Sequence, residues 1–79
     1  MYKEVEQVTT NDWIEVVVDA EDFDPVEGWV SSRSVLWVWP EKIYTKGDYT
    51  VFSGEFQTLR GDTRKWVRRV FTKSMMEVL

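Results

Sequence analysis

The chain contains no cysteine and no histidine. Without cysteine no disulfide can form, and the usual Cys/His zinc sets are excluded. Serine–histidine and cysteine–histidine catalytic pairs are excluded with them. No phosphate-cradling glycine loop of the Gly-x-x-x-x-Gly-Lys type is present, and no enzymatic activity is expected. Only two prolines and four glycines occur, and no linker or low-complexity segment is visible. The longest apolar run, Val35 to Trp39, is far too short to cross a bilayer. No apolar stretch of signal-peptide type follows Met1-Tyr2-Lys3-Glu4. The absence of cysteine fits a reducing compartment, so a cytoplasmic protein without membrane contact is expected.

Positive charge is also scarce in one part of the chain. Residues 1–28 hold one basic residue, Lys3, against nine acidic ones, whereas 29–79 hold nine basic against five acidic. The acids crowd Asp19, Glu21, Asp22, Asp24 and Glu27. The bases concentrate at Arg60, Arg64, Lys65, Arg68, Arg69 and Lys73. A net charge of −4 opposes uniform affinity for nucleic-acid phosphates. The separation of signs nonetheless marks two surfaces of different character.

Aromatic residues are plentiful: five Trp, four Phe and three Tyr among 79 residues. A chain of this length forms one domain, 1–79, and buries a modest fraction of its surface, so large rings must supply much of the core. Trp13, Trp29 and Trp66 each neighbour strand aliphatics and read as core. Trp37 and Trp39 share one face of a strand. That face is either core, an exposed ridge, or the contact of a homodimer formed through this strand.

Local patterns predict a mainly β fold, a small antiparallel barrel or rolled sheet. Trp13 to Val18 is rich in β-branched residues and reads as a strand. Asp19 to Glu27, with Pro25, reads as an acidic loop closed by Gly28. Val35 to Trp39 is apolar on both faces and reads as a central or doubly covered strand. Lys46-Gly47-Asp48 and Arg60-Gly61-Asp62 are turns; the latter spells a known integrin-binding tripeptide, but a tight turn explains it. Ser53-Gly54 has the chemistry of a two-residue hairpin turn. A faint echo links residues 12–18 with 65–71, each a Trp ahead of aliphatics, and is read as two ordinary strands. The C-terminal segment is expected to be a strand through Phe71 and a short helical turn around Ser74 to Glu77. The alternative is an α+β fold with an amphipathic helix over 64–78, since Trp66, Val67, Val70, Phe71, Met75 and Val78 share one side of a helical wheel.

Asp12-Trp13 followed by Gly28-Trp29-Val30-Ser31-Ser32-Arg33-Ser34-Val35 resembles the closing half of Src-homology-three-like domains, bacterial members of which often read Gly-Trp-Val-Ser-Ser. The resemblance covers residues 12–35, about a third of the chain. It implies a small β barrel that works by binding. In eukaryotic members a Pro and a Tyr help form the proline-peptide groove; Ser31 and Ser34 stand at those positions here.

These features lead to a non-enzymatic binding domain; small size without catalytic groups, rather than any particular residue, suggests an accessory or inhibitor protein such as those carried by phages. The expected partner is a protein with a basic surface. Asp22, Asp24 and Glu27 would steer the encounter, and Trp29 and Trp37 would anchor it. The acidic stretch lacks the Asp-x-Asp-x-Asp-Gly spacing of a calcium loop, so neither metal nor cofactor is expected. The alternative is a nucleic-acid-binding domain using Arg64, Lys65, Trp66, Arg68 and Arg69.

Overall fold

The computed structural model describes all 79 residues. Seven strands and one 3-10 turn follow in order: β1 (Tyr2–Glu4), the turn Val5–Gln7, β2 (Ile14–Asp24), β3 (Gly28–Val38), β4 (Lys42–Lys46), β5 (Tyr49–Gln57), β6 (Thr63–Phe71) and β7 (Met75–Glu77). All pairings are antiparallel and form three separate sheets, β1-β7, β2-β3 and β4-β5-β6. The fold is mainly β, as the sequence predicts, but the barrel is not closed. β2 and β6 each keep one free edge. Across the seam between them, Arg68 Nη1 donates to the Glu15 carbonyl at 2.7 Å.

Three expectations of local secondary structure are corrected. Asp19 to Glu27 is not a loop: β2 continues to Asp24, and only Pro25-Val26-Glu27 turn before Gly28 opens β3. Clustered carboxylates remain extended because each residue has a cross-strand partner, from Asp19↔Arg33 to Asp24↔Gly28. Ser53-Gly54 is not a turn but lies inside β5, paired with Val67 and Trp66. Neither a helix over 64–78 nor a helical turn at Ser74–Glu77 forms. Residues 63–71 pair with β5 along their whole length, and Met75–Glu77 pair with β1. Two ladders of backbone hydrogen bonds outweigh the helical spacing of the apolar residues, and the β-branched content agrees with them.

The core is small. Val5, Val8, Ile14, Val16, Val18, Phe52, Trp66, Met76 and Val78 form one buried cluster, with Leu36, Val38, Ile43, Phe56 and Val70 packed against it. In β2 the inward residues alternate as Ile14, Val16 and Val18, the period of a half-buried strand. The alternation stops at Val18, and no residue of 19–35 enters the cluster. The distal half of the β2–β3 hairpin therefore extends past the core. The molecule measures 46 × 23 × 20 Å with a radius of gyration of 14.5 Å, against about 11.6 Å for a compact chain of this length.

Gly54 explains how Trp66 reaches the core. A Cβ at residue 54 would lie 2.8 Å from the Trp66 ring, so the indole packs on bare backbone. Trp66 is 4% exposed. The other tryptophans do not follow the core reading. Trp13 and Trp29 are exposed; Trp13 packs at a tilt of 34° against Trp39, outside the sheet, with centroids 4.0 Å apart. The Val35 to Trp39 segment is not central either, because β3, which ends at Val38, is one of only two strands in its sheet and Val35 is exposed.

Candidate functional site

The distal hairpin is built by a three-residue turn that its own side chain holds. The Asp24 carboxylate accepts from the backbone N–H groups of Val26 (2.7 Å) and Glu27 (3.0 Å). These bonds, the Glu27 one foremost, hold its pKa below the ordinary 3.8. Gly28 follows with φ +83°, a conformation that L side chains rarely adopt and glycine accepts freely. The chain then returns in register, and Phe23 is placed directly across from Trp29. Their rings meet edge to face at 5.6 Å, the arrangement that aromatic quadrupoles favour.

The turn between β5 and β6 lies against this arm. Thr58 shapes it: its amide donates to the Asp62 carbonyl, its carbonyl accepts from Gly61, and its hydroxyl accepts from the Asp62 amide. Gly61 has φ +88°, so the Arg60-Gly61-Asp62 tripeptide is a tight turn. From this turn and the start of β6, two arginines reach the arm. Arg64 Nη2 donates to Glu21 Oε1 at 3.0 Å, and Arg60 Nε lies 3.8 Å from Glu21 Oε2. The Arg60 guanidinium also lies 5.6 Å from the centre of the Trp29 ring, within cation–π range.

The acidic and basic ends of the chain therefore meet, but at a single carboxylate. The other four acids of the stretch, Asp19, Asp22, Asp24 and Glu27, have no basic group within 4 Å; the remaining ion pair of the molecule is Lys3–Asp12. Asp22 accepts from the Ser32 hydroxyl. Around these carboxylates stand apolar groups that the core does not use. Val26 is 92% exposed and Trp29 44%, and Phe23 and Leu59 are largely exposed as well.

The expected protein-docking residues are thus only partly assembled. Asp22, Asp24, Glu27 and Trp29 share the distal arm. Trp37 does not join them, since it sits eight residues further along β3, opposite Glu15 near the base of the hairpin. Phe23 and Val26 are the arm residues that the sequence did not single out, and Arg60, read there only as part of the basic ribbon, meets the arm at Trp29 and Glu21. The hairpin register that puts Phe23 beside Trp29 was hidden while the stretch read as a loop.

The residues of the basic ribbon divide by strand alternation. Trp66 enters the core, Arg64 binds Glu21, and Arg68 spans the seam to Glu15. Lys65 and Arg69 lie on the opposite face of β6, and their five-residue set forms no single surface. Ser31 and Ser34 both lie within the β3 ladder. No three carboxylates converge to hold a metal ion. No helix is long and apolar enough to cross a membrane. Comparison with protein-family models, curated proteins and solved structures finds no match.

Proposed function

We propose that this chain is a non-enzymatic binding protein whose docking element is the distal β2–β3 arm, and that its partner is a protein with a basic, partly apolar surface. The observation that carries this reading is the exposed Phe23–Trp29 pair with Val26 at the end of a hairpin that projects beyond the core. Aromatic side chains of this kind supply the buried centre of protein interfaces, and rings lose little conformational freedom on contact. The unpaired carboxylates Asp19, Asp22 and Glu27 lie along the same arm, Asp22 on the face opposite Phe23 and Asp19 four residues down the strand, and their combined negative field steers a positively charged partner toward it. Arg60 and Arg64 hold the arm through Glu21, on the face that carries Phe23 and Trp29, so less ordering is needed on binding. A cytoplasmic accessory or inhibitor role accords with a small domain that has no cysteine and no histidine.

Photo-crosslinking from position 26, in the cells that make the protein, tests the reading. A single dominant crosslink to a basic protein is expected, lost in Trp29→Ala and slowed in Asp22→Lys/Glu27→Lys. A crosslink that survives both variants would overturn the assignment of the arm. Trp29→Ala should speed dissociation, whereas the charge reversals should lower the association rate and its salt dependence.

A further inference from the structure

The outer face of the β4-β5-β6 sheet carries chemistry that the arm does not explain. Register places three lateral rows on it: Lys46, Tyr49 and Phe71; Tyr44, Val51 and Arg69; Lys42, Ser53 and Val67. The opposite face of the same strands holds Ile43, Phe52, Trp66 and Val70, which form or contact the core. The rings on the outer face are exposed, Phe71 at 58%, although Val51 between Tyr44 and Arg69 on the same face is buried. Tyr49 and Phe71 stack on each other, with centroids 4.6 Å apart and planes at 26°. Tyr44 stands one row away, about 6.7 Å along the strands. That is about twice the ~3.4 Å rise between stacked bases, which leaves room for one unstacked base on each aromatic platform.

Four cations share this face: Lys42, Lys46 and Arg69 stand beside the rings, and Lys65 lies farther along β6, in the Glu55 row. None of them has a carboxylate within 4 Å. Glu55 is the one acid of these three strands on the face, laterally paired with Lys65; Asp48 lies in the adjoining turn, and Glu15 of β2 lines one cleft with Val67 and Arg69. The acidic arm is remote from the ring end of this face, though not from Lys65, which follows Arg64 and lines one cleft with Asp19. Arg64, which touches Glu21, precedes Phe71 by seven residues of strand, about 23 Å at ~3.3 Å per residue. The Debye length at physiological ionic strength is about 8 Å, so the arm's carboxylates are screened from this end of the sheet. The net charge of the chain therefore does not describe this face.

We infer that this face binds single-stranded nucleic acid, with phosphates held by Lys42, Lys46, Lys65 and Arg69 and bases stacked on Tyr44 and on the Tyr49–Phe71 pair. Both grips use features that DNA and RNA share, the phosphate and the π-face of the base. A second copy of the chain is a poor occupant, because it would set these cations against their own counterparts. The site differs from the basic ribbon read in the sequence: Arg64, Trp66 and Arg68 lie on the other face, and Lys42, Lys46, Tyr44 and Tyr49 come from outside it. The inference stands independently of the arm.

Fluorescence anisotropy of labelled dT15 and U15 with the full chain, across 25 to 200 mM salt, provides the test. Binding to both oligonucleotides is expected, with a log–log salt slope approaching about −2.8 if all four cations neutralise phosphates. Arg69→Gln and Lys46→Gln should each reduce the slope by about 0.7. Tyr44→Ala and Phe71→Ala should each weaken binding roughly 5- to 150-fold while leaving the slope unchanged. Arg64→Gln and Trp29→Ala should leave affinity as it is. Circular dichroism of each variant confirms the fold, and the two Gln variants alter only exposed termini of long side chains. Absence of binding at 25 mM salt would overturn the inference. So would equal or tighter binding to duplex of the same length, tighter binding to polyglutamate or phosphatidylserine vesicles than to dT15, or dimers in sedimentation that Tyr44→Ala dissociates.

Discussion

Arg64 and Glu21, forty-three residues apart in the chain, meet at 3.0 Å and join the β5–β6 hairpin to the flank of the β2–β3 arm. Glu21 is the more enclosed partner, with its side chain 13% exposed against 43% for Arg64. Its second oxygen has no hydrogen-bond donor and relies on the Arg60 charge 3.8 Å away. The contact is thus a fork with one strong and one loose prong.

A double-mutant cycle of Glu21→Gln and Arg64→Gln should give a coupling energy of about 1 kcal/mol at low salt, at the upper end for pairs that are not fully buried. Urea denaturation measures it. The coupling should shrink at high salt, and a value near zero at both salts would show that the two hairpins are held together by other contacts.

Gly54→Ala should destabilise the protein by about 1–3 kcal/mol, because the added methyl meets the Trp66 ring inside van der Waals distance. Trp66 is buried and cannot swing into solvent without opening the core. Chemical denaturation gives the loss, and Trp66 emission should shift to the red if the ring is displaced. A variant as stable as the parent would contradict the close packing of indole on backbone.

Asp12 should make the fold sensitive to acid. Its carboxylate accepts from the Thr9 amide at 2.8 Å and from Lys3 Nζ at 2.9 Å. The Thr9 bond first, and then Lys3, hold its pKa below the ordinary 3.8. A carboxyl with a folded pKa below its unfolded value stabilises the fold above the unfolded value; that contribution fades as pH falls through the folded one. Stability should therefore decline below about pH 4. Asp12→Asn should be less stable than the parent at pH 7 and should lose less between pH 5 and pH 2. Urea midpoints across that range check the sign.

Asp24→Ala should loosen the tip of the arm and leave the core alone. The substitution removes the acceptor of the Val26 and Glu27 amides, and no residue of 19–35 belongs to the core cluster. Hydrogen exchange at those two amides should accelerate while the global melting temperature stays within about 2 °C, as expected of a local opening. A large fall in melting temperature would mean that the arm supports the core.

The sequence alone determines several features here, each through local chemistry. The turns at Gly28, Gly47 and Gly61 are legible because positive φ favours glycine. The strand Trp13 to Val18 is legible because β-branched residues alternate inward, and the separation of charge is a matter of counting. Aliphatic neighbours do not by themselves place a tryptophan in the core: Trp66 is buried, but Trp13 and Trp29, read by the same sign, are exposed.

Tertiary structure decided the rest. Asp19 to Asp24 carries loop chemistry, and it becomes strand because β3 offers a partner at every position. The segment 64–78 suits a helix by spacing, and it becomes β6 and β7 because β5 and β1 supply the ladders. Gly54 reads as a turn until Trp66 is seen to need its missing side chain. Tyr44, Tyr49 and Phe71 gather on one face only through registers that join residues up to twenty-seven positions apart. Hydrogen bonds between distant strands, and the side-chain alternation they impose, lie beyond any local window of the sequence.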